Sequence, residues 1–348
     1  MPSGISKVNN NMFKKFFIGL TMLLCLPLLQ AEELLEVPIG IAPTMSSIGV
    51  FIAEEKGYFR QQGIKAVINP FKSSGAKMVP FLATGQLFVA GGNINAGMYN
   101  AVAQDIPIKI VADKGTVSPG HGYLALIVRK DHIDSGRYKG FADLKGMTMA
   151  VTAKGVSQEI VTEMYLKKAG LSLKDIKLVT LGYSDINIAM ANKSIDASIQ
   201  IEPFVAAAVS NKFAVRVAGD DEIYPNQQSA VIFYSPVFMQ KHPKEAKGFA
   251  IAYIKGLRDY YNAFDKNKSK KEVISILTKY TRIKDTKIYQ SVVPVGLSPN
   301  GSLNVPGLKN DAKWFFEHGY TKKLADIDNI VDLSYIENAI RVLGKVEP

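Results

Sequence analysis

The chain has 348 residues, of which 47% are hydrophobic and 21% charged, a balance typical of a globular protein and not of a disordered one. Its formal net charge is +11, but the basic residues are spread among acidic and aromatic ones. Because neither a concentrated basic stripe nor a known motif is present, we expect no nucleic-acid partner.

The N-terminus has the pattern of a secretory signal peptide. Lys14 and Lys15 precede an apolar run of about 14 residues, and the small residue Ala31 ends it. This run is shorter than the roughly 20 residues that a membrane-spanning helix needs. We expect residues 1–31 to be a signal peptide cleaved near Ala31, with the true start at Met1 or Met12, and the mature protein to be periplasmic.

The one cysteine, Cys25, lies inside this segment. A lipoprotein anchor normally has a small residue before its cysteine, whereas Leu24 precedes Cys25, so we expect no anchor. Without Cys25 the mature chain has no disulfide, no thiolate metal site and no cysteine nucleophile.

The first unit after the signal alternates strand and helix. Residues 39–42 and 64–70 are predicted to be strands, and residues 48–62 an amphipathic helix that ends at Gly63. The same pattern returns at residues 149–170: Gly170 follows Gly63 by 107 positions, and Ala191 follows Ala83 by 108. Two similar α/β halves predict two lobes with a cleft between them.

The rest of the chain continues the alternation. Strands are predicted at residues 87–90, 106–112, 123–129, 177–181, 195–201, 214–217 and 229–234, with a loop at 114–122. Helices are predicted at residues 78–84, 96–104, 158–169, 185–191 (with Asp185 as cap), 205–211, 244–264, 271–280, 285–292, 305–317 and 334–343. This order predicts an α/β protein with mostly parallel sheets, two crossovers and a helical C-terminal part. We expect residues 32–124 and 231–348 to form the first lobe and residues 125–230 the second.

Ligands of parallel α/β sheets bind beyond the carboxyl ends of the strands, where the following helices present free N–H groups. Small polar residues are found at these ends in both halves, and the alternative is that they only cap helices and form turns. The predicted ligand-binding residues are Thr44, Ser46, Ser47, Ser73, Ser74, Gly75, Asn93, Asn95, Thr152, Gly155, Val156, Ser157 and Glu202.

Several charged and aromatic residues near these loops allow two interpretations. Glu202 could accept from an amine or amide of the ligand, or it could be a helix-capping acid. Tyr183 and Tyr234 could cover an apolar part of the ligand, or belong to core or surface. The lysines of this group are more simply rim charges than anion ligands: Lys72, Lys114 and Lys154.

The sequence favours neither catalysis nor a cofactor. The four histidines are far apart and lack metal-ligand spacing: His121, His132, His242 and His318. Of these, only His121 is predicted to lie near the cleft. No nucleophile elbow, P-loop or dinucleotide fingerprint is present.

The segment at residues 55–59, Glu-Lys-Gly-Tyr-Phe, followed by Gly63-Ile64, resembles a signature of periplasmic substrate-binding proteins of ABC importers. The branch is the one that handles nitrate, sulfonates, taurine and pyrimidine precursors of thiamine. Supporting segments follow in family order at residues 82–86, 91–92, 143–146, 170–171 and 201–204.

This resemblance implies a type II periplasmic-binding fold that closes on a solute and delivers it to a membrane permease with a cytoplasmic ATPase. It places ligand contacts on the same loops at the carboxyl ends of the strands. One position departs from the family, because Phe88 stands where an aspartate is common. We expect a monomer.

We expect an exported binding protein for a small organic anion, with an aminopyrimidine solute, an enzyme and a receptor domain as the alternatives. A sulfonate or taurine-like anion fits the donor-rich loops, with Glu202 for an amine. An aminopyrimidine fits Glu202 and the aromatic residues. Pyrimidine synthases of this fold are the enzyme alternative, and the resemblance associates them with a cysteine-rich, iron-using site that a chain without Cys25 lacks. A ligand-sensing domain of a receptor would need a fused output module.

Overall fold

The computed structural model describes residues 1–4, 33–71 and 75–347. The predicted signal peptide with Cys25, and also Lys72, Ser73 and Ser74, lie outside the described residues. The chain forms two compact units, Met1–Glu33 and Leu34–Pro348, and the strands and helices of the described residues belong to the second. Within the described residues, no helix combines the length and apolar character needed to cross a membrane.

Ten strands of the described chain form two five-stranded sheets. The first sheet has the order β2-β1-β3-β10-β4 and the second the order β7-β6-β8-β5-β9. The strands are β1 (Leu35–Ile41), β2 (Ile64–Pro70), β3 (Val89–Asn93), β4 (Lys109–Thr116), β5 (Leu124–Arg129), β6 (Thr148–Val151), β7 (Lys177–Thr180), β8 (Ala197–Ile201), β9 (Ala214–Gly219) and β10 (Gln228–Tyr234).

Each sheet has four strands in one direction and one reversed strand, and the reversed strand occupies the same position in both. β10 is antiparallel to β3 and β4, and β5 is antiparallel to β8 and β9. These are the two strands that follow the crossovers between the lobes. The predicted repeat is confirmed down to its turns, because Gly63 and Gly170 both have a positive φ, of 73° and 69°.

Fourteen helices, counted over the residues that the structure describes, cover the sheets and form the C-terminal part. They are α1 (Ile48–Glu55), α2 (Val79–Ala83), α3 (Ala96–Val102), α4 (Lys130–Asp134), α5 (Ser157–Lys168), α6 (Tyr183–Ala191), α7 (Phe204–Ser210), α8 (Asp220–Ile223), α9 (Pro236–Lys241), α10 (Pro243–Phe264), α11 (Lys270–Tyr280), α12 (Val305–Glu317), α13 (Ile327–Ile330) and α14 (Ser334–Leu343).

Three predicted helices need correction. The helix predicted over residues 48–62 ends at Glu55, because the chain turns at Gly57 with a φ of 68°. The helix predicted over residues 185–191 begins earlier, at Tyr183, and Gly182 instead of Asp185 holds the cap position. Residues 285–292 form only the short 3-10 turn Ile288–Gln290, whose apolar side packs against α7.

Strand β4 lies further along the chain than predicted: it begins at Lys109 instead of residue 106 and ends at Thr116 instead of residue 112. Residues 114–122 were expected to form a loop, but β4 continues through Lys114 to Thr116. The division into lobes stays a prediction as to its boundaries. The one expected after residue 124 falls just inside β5, and the one expected after residue 230 falls within β10.

Phe88, which replaces the aspartate common in the resembling family, joins an aromatic cluster under α9. Its ring lies 5.4 Å from that of Phe238 and 5.3 Å from that of His242, measured between ring centroids. An apolar packing contact therefore occupies the position of that acid.

Candidate functional site

The carboxyl ends of the two sheets face one another, and the predicted loops meet there. Every predicted site residue that the structure describes is buried: Thr44, Ser46, Ser47, Gly75, Asn93, Asn95, Thr152, Gly155, Val156, Ser157 and Glu202. Ser73 and Ser74 are outside the described residues. Residues from five separate loops thus come together in one place.

The loop after β3 and the loop after β6 bind each other directly. Asn95 and Val156 form an antiparallel bridge. The amide of Ala96 donates to Gly155 O at 2.9 Å, and the amide of Ser157 donates to Ile94 O at 3.0 Å. The two lobes are therefore in contact, in a closed arrangement.

Two further contacts join the lobes. Tyr183 Oη, at the start of α6, donates to Asn93 Oδ1 at 3.2 Å, and burial raises the pKa of Tyr183 to about 12. The amide of Met45 donates to Glu202 O at 3.4 Å. Tyr183 is thus a neutral donor between the lobes, whereas Tyr234 lies in the core and donates to Ala246 O.

Several predicted polar residues serve local structure. Ser47 Oγ donates to Ala42 O at 2.7 Å, and Asn95 Oδ1 caps α3 by accepting from the amide of Met98 at 3.0 Å. The amide and the hydroxyl of Thr152 both donate to Gln158 Oε1. These side chains therefore stabilise the loops. Their contacts are those of helix caps and turns, which was the alternative to ligand binding.

Lys114 is buried at the carboxyl end of β4, with 2% of its surface exposed. Its Nζ donates to Ser46 Oγ at 2.8 Å, the one hydrogen-bond partner of this ammonium among the residues that the structure describes. Burial lowers the pKa of Lys114 to about 7, against the opposing effect of the Asp113 carboxylate. The expectation that Lys114 is a rim charge is therefore wrong.

The position of Lys114 depends on a glycine. The side chain crosses β10 towards Gly91 on β3, where an added Cβ would lie 2.8 Å from Lys114 Cδ. Ser46, which receives the ammonium, also lies 3.1 Å from Thr44 Oγ1, measured between hydroxyl oxygens. A polar chain thus runs from the buried ammonium to Thr44, which lines a cavity together with Tyr183 of the second lobe.

The neighbouring Asp113 faces the other side of β4 and is fully engaged. Its Oδ1 accepts from the amide of Gly115 and from Gln228 Nε2, both at 2.8 Å, and its Oδ2 accepts from the amide of Ser298 at 2.8 Å. Burial raises the pKa of Asp113 despite these donors. Asp113 therefore ties β4 to β10 and to the C-terminal part, and Lys114 has no direct counter-ion within the part of the chain that the structure describes.

Glu202 has the contacts of a helix-capping acid. Its Oε2 accepts from the amide of Ala206 at 3.0 Å, in the first turn of α7, and its Oε1 accepts from the amide of Val293 at 3.2 Å. Burial raises the pKa of Glu202 to about 7, while the two backbone amides oppose this rise. Both carboxylate oxygens are thus occupied within the protein.

Gly75 and Gly92, next to the loop that begins at Asn93, are in direct backbone contact. A Cβ on Gly92 would lie 2.4 Å from Gly75 Cα, and neither backbone can move aside as a flexible side chain can. We expect Gly92→Ala to lower the free energy of unfolding by about 1–3 kcal/mol, measured by urea denaturation. Gly140→Ala is the control, because no atom lies within 4 Å of its added Cβ. An unchanged midpoint for Gly92→Ala would show that this contact is not tight.

The cavities at the cleft are small because the lobes are in contact. One of about 10 Å³ is lined by Pro43, Thr44, Tyr183, Ser184, Phe204 and Arg282. Another, of about 280 Å³, is lined by Lys77, Thr152, Ala153, Lys154, Thr180, Leu181 and Gly182. The exposed side chains of Lys154 and Arg282 add positive charge at their edges. Access to these cavities from solvent would therefore widen if the lobes separated.

Larger cavities lie away from these loops: two are lined by residues of the crossovers and of the C-terminal part, and one lies on the second lobe beside α4. One of about 390 Å³ includes His121, whose Nε2 is 3.7 Å from Asp265 Oδ1. His121, which was expected near the cleft, lines this other cavity and neither of the two cleft cavities above. We place the candidate site in the cleft and not in the larger cavity, because strand ends and helix N-termini of both lobes converge only there in the described structure. Among the described residues, no group of three His, Cys, Asp or Glu could hold a metal ion.

Comparisons with known proteins agree with this architecture. A Brucella abortus protein, provisionally named a binding protein, is 25% identical over 305 residues, which cover 84% of this chain and 89% of that protein. The alkanesulfonate-binding protein SsuA of Xanthomonas axonopodis pv. citri, bound to MOPS, has a TM-score of 0.69 at 17% identity and covers 86% of this chain and 98% of its own.

The nitrate-binding protein NrtA of Synechocystis PCC 6803 has a TM-score of 0.73 at 13% identity and covers 90% of both chains. These likenesses show that the fold is that of periplasmic binding proteins, with two α/β lobes. The family described as NMT1/THI5 like matches residues 44–265, which include all the predicted site residues. The chain therefore belongs to the NMT1/THI5-like family.

Proposed function

We propose that this protein is the periplasmic solute-binding component of an ABC importer and that it captures a small organic anion, such as a sulfonate, between its lobes. The observation that carries the proposal is Lys114, an ammonium that is buried in the closed cleft and has one neutral hydrogen-bond partner among the described residues. The permease and ATPase subunits of the importer would be its partners, and the proposal includes the predicted export and the predicted monomer.

The charge of Lys114 explains why the solute would be an anion. An ammonium in a low-dielectric environment is costly unless it is paired, and Ser46 Oγ supplies an acceptor without charge. An anionic solute would supply the missing charge and further acceptors for the N–H groups of the ammonium. Binding energy would then come from an interaction that the empty protein lacks.

The surrounding groups suit an anion as well. Ser46 and Thr44 have hydroxyl groups next to the ammonium, and Asn93 Nδ2 has no hydrogen-bond partner among the described residues. Tyr183 adds a neutral hydroxyl from the second lobe. Several neutral donors around one cation match the oxygens of a sulfonate, which is the kind of ligand that the name of the Xanthomonas relative gives.

The contacts of Glu202 and Tyr234 do not favour the aminopyrimidine alternative. That alternative relied on a free carboxylate and on an aromatic wall. Both oxygens of Glu202 accept from backbone amides, and Tyr234 is a core residue. We therefore propose that Glu202 stabilises the loops around the cleft and does not bind the solute. The amine of a taurine-like solute would then have no carboxylate partner at Glu202.

A thermal-shift screen of residues 32–348 tests the proposal. The panel pairs propanesulfonate with the neutral propanesulfonamide, and includes taurine, nitrate and an aminopyrimidine. A ligand at a hundredfold its dissociation constant stabilises by about 2.7 kcal/mol, so we expect a rise in melting temperature of about 4 °C. The expected result is a shift with anions and none with the sulfonamide. A shift with only the aminopyrimidine, or with the sulfonamide as strongly as with the sulfonate, would contradict an anion site.

A further inference from the structure

Helix α5 of the second lobe contacts α12 of the C-terminal part and the residues that follow it through two carboxylates, Glu159 and Glu163. Trp314 Nε1 donates to Glu163 Oε2 at 2.6 Å, and His318 Nε2 lies 3.0 Å from Glu163 Oε1. The rings of Trp314 and His318 are stacked with their centroids 3.9 Å apart. One buried carboxylate of the second lobe thus joins two side chains of α12.

A second carboxylate on the same helix extends this contact to the candidate site. Tyr320 Oη donates to Glu159 Oε1 at 2.5 Å, and Glu159 Oε2 accepts from the amide of Gly155 at 2.7 Å. Gly155 lies between Tyr320 and Ala96, at 3.1 Å and 3.3 Å from its added Cβ. Glu159 therefore links the loop after β6 to the segment that follows α12.

Helix α12 is fixed to the first lobe and to the returning crossover. The ring of Phe315 packs against that of Tyr99 on α3, with the centroids 5.9 Å apart. Asp311 accepts from Tyr224 Oη and from Gln227 Nε2, both at 3.0 Å, in the segment between α8 and β10. Because α12 is held in this way, its contact with α5 is a contact between the lobes.

We propose that Glu159 and Glu163, with Tyr320, Trp314 and His318, form a latch that holds the lobes closed and so sets how long a solute is retained. The solute part of this inference rests on the proposed function, whereas the closing of the lobes does not. These five side chains form the α5–α12 latch. They are positioning residues, since they act through the Gly155 loop and the angle between the lobes.

Trp314 is the only tryptophan of the chain and is buried under α5, so its fluorescence reports on the latch. The experiment compares the full protein with Glu163→Ala and Tyr320→Phe, the second of which removes one hydroxyl and keeps the packing. Glu317→Ala is the matched control: it lies on α12, faces solvent and pairs only with Lys313, at 3.6 Å, among the described residues. The readouts are Trp314 emission, the radius of gyration by small-angle scattering, and the dissociation rate of the anion found by the thermal-shift screen.

We expect both latch variants, without ligand, to shift Trp314 emission to longer wavelength and to increase the radius of gyration, while Glu317→Ala does neither. The anion should dissociate about tenfold faster from Tyr320→Phe, with little change in its association rate. If Trp314 emission and the radius of gyration were the same in both variants as in the parent, the latch proposal would be wrong. If no anion binds the parent, the proposed function fails, and the two ligand-free readouts still decide on the latch.

Discussion

Lys114→Met is expected to weaken the binding of a small organic anion by about 100-fold and to make the ligand-free protein more stable. The binding loss follows because a hydrogen bond to a charged group contributes about 1.5–3 kcal/mol, and the substitution removes the one buried cation next to Ser46. Methionine keeps a flexible apolar chain of similar length over Gly91, so the packing of the stem is retained. Binding is measured by isothermal titration calorimetry.

The gain in stability follows from the lowered pKa of Lys114. A lysine whose pKa falls from about 10.4 in the unfolded chain to about 7 in the folded protein costs about 4–5 kcal/mol of unfolding free energy below pH 7. The lost bond to Ser46 offsets part of this, and we expect a net rise in melting temperature of about 3 °C at pH 6.5. The pH dependence of this gain is a further test. The free-energy cost of burying charged Lys114 is complete below pH 7 and disappears as the pH rises to about 10.4, so the gain of Lys114→Met should disappear with it.

Lys154→Met is the control for this substitution, because the same charge is removed from an exposed residue beside the cleft. It should leave the melting temperature unchanged and weaken binding by less than about threefold. If Lys114→Met bound the anion as the parent does, or if it were less stable than the parent at pH 6.5, the role given to the buried ammonium would be wrong.

The second large effect is a dependence of affinity on pH. Burial lowers the pKa of Lys114 to about 7 in the ligand-free protein, and an adjacent anion would raise it, so binding takes up a proton above pH 7. We expect the affinity for an alkanesulfonate to be constant below pH 7 and to fall about 100-fold between pH 7 and pH 9. The sulfonate itself does not titrate in this range, so the change belongs to the protein.

Calorimetry in two buffers of different ionisation enthalpy measures the proton uptake directly.

Glu202 requires a control because burial raises its pKa to about 7 as well. Its ionisation also becomes complete above pH 7, and Glu202→Gln removes it. The pH dependence should remain in Glu202→Gln and disappear in Lys114→Met. If the pH dependence of the affinity disappeared in Glu202→Gln, the titrating group would be Glu202 and not Lys114.

Most of the fold could be predicted because the signals are local. Period-two and period-3.6 patterns placed the strands and most of the long helices, and the paired glycines at 63 and 170 marked equivalent turns. The end of β4 was missed because Asp113 and Lys114 look like the start of a polar loop. The strand continues there because Gln228 and Ser298 donate to Asp113, and neither donor is near it in sequence.

The location of the site could be predicted from topology, but not the roles of its side chains. Parallel strands bring their carboxyl ends together wherever the loops are, which is why the loops of Thr44, Asn93 and Val156 could be predicted to lie together; their part in binding stays a prediction. The burial of Lys114 depends on Ser46, 68 residues away, and the latch joins Trp314 to Glu163 over 151 residues. A single sequence contains no pattern for such pairs. A lysine between an apolar strand and a glycine is the one local sign that could have indicated Lys114.

The proposed function requires that the closed cleft holds an anion on Lys114. The most direct measurement is a crystal structure of the protein with the anion that gives the largest thermal shift. We predict that a charged oxygen of the solute lies about 2.8 Å from Lys114 Nζ, within reach of Ser46 Oγ, and that the lobes enclose it. A solute bound in the cavity beside His121, or in the cleft with Lys114 bound only to Ser46, would contradict the claim.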